Sequence, residues 1–161
     1  MTMSAAKGFT LIELVISLAI LGMLASVIWP MAELAVQRSK EQELRLALRE
    51  IRSGLDAYKQ AVEEGRVAHS VIRSGYPPSL EVLLEGEPDA RSADGKGRLY
   101  FLRRIPRDPM SRAGPETPDA QTWGRRSYES SADMPEEGED VFDVYSLSEG
   151  SGLNGIPYRN W

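Results

Sequence analysis

The sequence predicts an α+β protein in which one long N-terminal helix packs on a small antiparallel β-sheet head. Three observations carry that expectation. Phe9 to Trp29 is an almost unbroken apolar run. From Leu44 to Val62, apolar residues recur at alternating steps of four and three, the period of a helix with one buried stripe. Beyond Gly65 the chain is punctuated by Pro and Gly, with short β-branched and aromatic segments between them, the pattern of strands and turns.

Composition narrows the function classes. The chain has 161 residues, 42% hydrophobic and 27% charged, enough for one ordinary domain with an appendage. It contains no Cys, which excludes a disulfide framework, a zinc ribbon and a thiol nucleophile. The single His, His69, excludes multi-His metal sites and reads as a surface residue. A net charge of -5 argues against a general nucleic-acid partner. No phosphate loop, G-x-S-x-G or H-E-x-x-H motif is found, so no enzyme is expected. Asp108, in an Arg-Asp-Pro turn, reads as a turn-ordering residue rather than a general base.

The first element is the apolar run. Its 21 residues from Phe9 to Trp29 carry one charge, Glu13, and a helix needs about 20 apolar residues to cross a bilayer core. A cleavable secretory signal and a plain membrane anchor are two readings of such a run. A third must account for an acid near its start. A carboxylate at a membrane helix centre costs about 2.5–3.5 kcal/mol on insertion scales. Cleavage after Gly8 would free the Phe9 amine, and Glu13 would then have a cation to pair with, in its own chain or a neighbour's.

Lys7-Gly8-Phe9-Thr10-Leu11-Ile12-Glu13-Leu14 resembles the processing site of type IV pilins and of the pseudopilins of type II secretion. That resemblance implies a leader, residues 1–8, cut by a prepilin peptidase between Gly8 and Phe9. It implies N-methylation of Phe9 and a role for Glu13 in subunit assembly. Residues 9–29 would then form a transmembrane and filament-core helix.

The second element is a spine over residues 30–64. Pro30 removes one helical hydrogen bond and is expected to kink the helix rather than end it. Leu44, Leu48, Ile51, Leu55, Tyr58 and Val62 form the stripe, with Ala47, Gly54 and Ala61 beside it. Gly65 is the expected stop, giving a helix from Phe9 to Glu64.

Residues 65–161 form the head, too small a segment to build a large core without the stripe. Ser79 is expected to cap a short helix, Leu80 to Glu85, closed by Gly86. Glu87 to Gly97 and Pro115 to Gln121 read as loops. Leu99 to Ile105 is apolar without a clear period. Strands are expected at Ser127–Ser130, Val141–Leu147 and Ile156–Trp161, the last at an edge because of Pro157. Arg98 to Arg126 holds seven Arg and three acids, whereas Glu129 to Glu149 holds eight acids and no base. That segregation reads as solvated surface or as a means of attracting a neighbouring copy.

Tyr76-Pro77-Pro78-Ser79-Leu80, Leu102 to Pro109 and the terminal Asn160-Trp161 are similar to the major pseudopilin of type II secretion. The resemblance implies calcium in the loop before the last strand, with Leu147, Ser148, Glu149 and Asn154 as its candidate ligands here. Calcium takes six to eight oxygens, and residues 148–155 offer one carboxylate, Glu149, with Asn154 and Ser oxygens; backbone carbonyls or upstream acids such as Asp140 would have to complete the set. A Gly-rich hairpin loop without an ion is the other reading.

The function implied is a structural subunit of the type II secretion pseudopilus, polymerising to extrude folded proteins across the outer membrane. Its implied partners are copies of itself, minor pseudopilins, the prepilin peptidase and an inner-membrane assembly platform with a secretion ATPase. Lys7 would hold the leader in the cytoplasm and place the head in the periplasm. A minor or type IV pilin subunit for adhesion, motility or DNA uptake is the alternative within the family. A membrane-anchored periplasmic binding module that never polymerises is the alternative outside it.

Overall fold

The computed structural model describes residues 8–67, 73–93 and 95–161. Lys7 and His69 lie outside the described residues. Helix α1 runs from Leu11 to Glu63, two residues inside the expected start and one inside the expected end. It continues through Pro30, so the missing N–H costs one bond without stopping the helix. Gly65 ends it with φ +68°, a conformation that suits a residue without a Cβ.

Two compact units divide the chain at Ser39 and Lys40. In residues 8–39 the structure is the bare first part of α1, and its apolar side chains are exposed: Leu11 is 83% and Leu18 66% accessible.

In residues 40–161 every expected stripe residue is buried. Leu44, Ile51 and Leu55 are fully enclosed, with Leu48, Tyr58 and Val62 nearly so. They share one core with Leu80, Leu83, Leu102, Ile105, Trp123, Val141, Val144 and Tyr158. Tyr58 meets Phe101 edge to face, ring centres 5.2 Å apart. Burial, reinforced by Glu87, raises the Tyr58 phenol above its ordinary pKa. Gly54 has no room for a side chain: an added Cβ would lie 2.9 Å from Leu102.

The head's sheet is two separate antiparallel ribbons rather than one. Strands β1 (Glu87–Pro88) and β2 (Arg98–Leu99) pair as Glu87↔Leu99. Strands β3 (Trp123–Arg126) and β4 (Asp143–Ser146) pair from Trp123↔Ser146 to Arg126↔Asp143. Helix α2 (Val82–Glu85) precedes β1 and ends at Gly86, φ +72°.

Four expectations need correction. Ser79 does not cap α2; Glu81 takes the cap position without a side-chain bond. The segment Glu87–Gly97 is not wholly loop, because its first two residues pair with β2. Ser127–Ser130 is a turn: Ser130 donates both its N–H and its hydroxyl to Ser127 O, the local bonding by which serines draw backbone away from a ladder. The strand lies just upstream, where Gly124 lets the Tyr145 ring cover the ribbon; a Cβ there would fall 2.4 Å from that ring. Finally, Ile156–Trp161 makes a single bridge, Ser151↔Pro157, and then a 3-10 turn over Tyr158–Asn160. Pro157 has no N–H with which to extend a ladder.

Candidate functional site

The N-terminal site is built from the first turns of α1. Thr10 Oγ1 accepts a hydrogen bond from Glu13 N at 3.3 Å, and Leu14 N donates to Thr10 O. Thr10 thus satisfies an amide that the helix itself leaves unpaired. Sequence reading passed over this, although Thr-x-x-Glu is the spacing of a capping box. Glu13 sits in the first turn, where the helix dipole favours an anion. It is exposed, and no ion pair to it is found among the described residues. Gly8 and Phe9 precede the helix and are exposed, so the expected cleavage bond lies in accessible, non-helical chain.

The segment that follows is long and apolar enough to cross a membrane, and among the described residues none of it is buried. Its hydroxyls are turned inward on the backbone: Ser17 donates to Glu13 O and Ser26 to Met23 O, both at 2.7 Å. At its far end Trp29 Nε1 donates to Glu33 at 2.8 Å, an aromatic and a polar group at the place where an apolar helix meets the interface.

The second candidate site is the loop between β4 and the C-terminal turn. Two of the expected side-chain ligands already accept hydrogen bonds from loop amides. Leu147 and Glu149 are exposed. Ser148 Oγ accepts from Gly150 N, and Asn154 Oδ1 accepts from Ile156 N at 3.0 Å. Three loop carbonyls are engaged likewise: Gly150 O by Tyr158 N, Gly152 O by Gly155 N, and Ile156 O by Gly152 N. Asp140 is buried and holds Tyr128 N at 3.0 Å. The loop offers one carboxylate, Glu149, and no group of three or more acidic or His side chains is found among the described residues, a poor match to the six to eight oxygens calcium takes.

What the loop does meet is Glu41. This buried helix residue accepts Leu153 N at 2.8 Å and the Tyr158 hydroxyl at 3.1 Å. Sequence reading missed it, although it stands one step of three before Leu44 and so extends the apolar stripe with an acid. Arg52 was missed too. It donates to Asp143 Oδ1 at 2.7 Å and to the main-chain oxygens of Val144 and Trp161, tying the spine to β4 and the C-terminal residue.

Two of the segregated basic residues pair with acids of the other stretch. Arg125 meets Glu137 at 2.7 Å and Arg126 meets Asp143 at 3.0 Å. Arg107 organises its own loop through Ala113 O, Gly114 O and Thr117 O. Asp108 orders its turn as expected, accepting Met110 N and the Ser146 hydroxyl. Burial raises its pKa, partly offset by those two bonds.

Against known proteins, residues 3–29 match the prokaryotic N-terminal methylation motif. The type II secretion system core protein G of Klebsiella pneumoniae is 31% identical over 111 residues, covering 66% of this chain and 71% of that protein. The chain belongs to that family. It is a pseudopilin by descent, with the family's long N-terminal helix and small antiparallel head. No solved structure matches it. Membership gives the exposed apolar helix its meaning: such a surface calls for lipid or for other apolar helices around it.

Proposed function

We infer that this chain is a structural subunit of the type II secretion pseudopilus, anchored in the membrane by its apolar helix and assembled by packing that helix against copies of itself. The single observation behind this reading is the contrast along α1. Its head-side stripe is satisfied within the chain, and its N-terminal part is apolar and, among the described residues, unburied. The kinship with core protein G and the methylation motif supports it.

The mechanism follows from residues 8–13. A prepilin peptidase cuts between Gly8 and Phe9, and the freed amine is methylated. A terminal amine has a pKa near 7.7–8 and so carries charge at neutral pH. Glu13 pairs with it, in the same chain or in a neighbour. In an apolar helix bundle both charges are costly alone and tolerable together, so the pair favours one register of neighbouring helices. Head and leader lie on opposite sides of the inner membrane, with Lys7 on the cytoplasmic side and the head in the periplasm. An assembly platform with its ATPase supplies the energy; minor pseudopilins complete the filament.

Mass spectrometry of the membrane-extracted chain tests this. A polypeptide beginning at N-methylated Phe9 is expected. An intact leader, or a cut beyond Trp29, overturns the reading.

A further inference from the structure

We propose that the C-terminal loop of this chain is closed by the Glu41 carboxylate and needs no calcium to fold. The argument begins with directions. A bound cation gathers oxygens, whereas the loop presents hydrogen-bond donors to a common point: Leu153 N and the Tyr158 hydroxyl both reach Glu41 Oε1, at 2.8 and 3.1 Å. Two of its own oxygens are engaged by loop amides instead, Asn154 Oδ1 by Ile156 N and Gly150 O by Tyr158 N. An anion at the centre and donors around it is the reverse of a calcium site.

Burial adds weight. Glu41 is 5% accessible and Tyr158 likewise. A carboxylate so enclosed is tolerated only when hydrogen-bonded, and such charge-assisted bonds are among the stronger ones. The rest of the loop is shaped around this contact. Gly152 has the Trp161 ring where a Cβ would be, 2.3 Å away, and Gly155 turns with φ +77°. Trp161 in turn packs on Tyr158, ring centres 5.1 Å apart, beneath the Arg45 guanidinium. Glu41, Arg45 and the C-terminal residues thus form one folded unit on the spine.

The test uses the processed full-length chain in detergent. Thermal unfolding is followed in chelator and across a calcium chloride titration, and amide exchange is measured at residues 150–158. We expect the unfolding midpoint to be the same in both buffers. In Glu41→Gln, which keeps the shape and removes the charge, exchange at Leu153 should quicken roughly tenfold while Ile51 and Leu55 stay protected. A saturable rise of the wild-type midpoint with calcium overturns the proposal. So does unchanged Leu153 exchange in Glu41→Gln. Should that variant fail to fold, Tyr158→Phe gives the same readout, with faster exchange at Leu153 expected and no change overturning it. A further consequence, which rests on the pseudopilus reading, is that filaments form equally in chelator. Filaments only with calcium overturn the proposal, whereas filaments in neither buffer count against the pseudopilus reading and leave the exchange result to decide the loop.

Discussion

The two parts of α1 share one helix and solve opposite problems. From Leu44 to Val62 the apolar side chains are concentrated on one face and covered by the head. From Leu11 to Trp29 apolar residues surround the helix, and among the described residues none of them is buried. A helix polar on one side folds against its own protein, and one apolar on all sides needs lipid or partners. The lesson is that stability and assembly are written in separate stretches, so substitutions should separate them.

The sharpest break is at Glu13. Glu13→Ala is expected to abolish filaments, as seen by electron microscopy of cells carrying the secretion machinery. The head's unfolding midpoint should stay the same, because Glu13 is exposed and lies in the other compact unit. Filaments at normal abundance would defeat the pairing mechanism.

Next comes a matched pair of truncations. Leu55→Ala empties a fully enclosed position and is expected to cost about 2–5 kcal/mol in urea unfolding. Leu18→Ala removes the same atoms from an exposed position and should leave that unfolding unchanged, its effect appearing in filament yield. Equal losses of head stability would erase the distinction between the two stretches.

Much of this division was legible before any coordinates. The 4-3 spacing named six stripe residues, and all six are buried. The apolar run and the Lys-Gly-Phe-Thr-Leu-Ile-Glu segment pointed to the family that the comparisons show. Helical periodicity is a local signal repeated over many turns, so it survives reading by eye. The head's short ribbons carry no such repetition. Strand β3, Trp-Gly-Arg-Arg, has a Gly and two long basic residues, and pairs for reasons of packing: Tyr145 covers the Gly and Asp143 binds Arg126. The loop's dependence on Glu41 was hidden by 112 residues of separation. Only the intrusion of an acid into the stripe hinted at it.

Arg52 sharpens the comparison from the head's side. Its three bonds reach Asp143, Val144 and Trp161. It is partly exposed, so solvent weakens their value. Arg52→Met keeps the aliphatic stem and should cost roughly 1–2 kcal/mol. Amide exchange should quicken at β4 and at Trp161, with Leu11–Trp29 unaffected. Loss confined to neither place would mean the guanidinium is not the tie it resembles.

The smallest effect concerns Asp108, whose burial raises its pKa above the ordinary 3.8. The sign follows from proton linkage. A carboxyl that is harder to ionise in the folded state than in the unfolded one binds more protons when folded. Its support for folding is therefore complete below the unfolded pKa, and is lost as pH rises through the raised folded value. Asparagine at this position can still accept Met110 N and can donate to Ser146 Oγ, but it does not ionise. The stability of wild type relative to Asp108→Asn should thus fall as pH is raised from 3.5 through the acid range toward neutrality, and then level off. Urea midpoints of the two proteins at matched pH measure it. A difference independent of pH would show that the carboxyl titrates alike in both states, and that its enclosure by Ser146 and Met110 imposes no charge penalty.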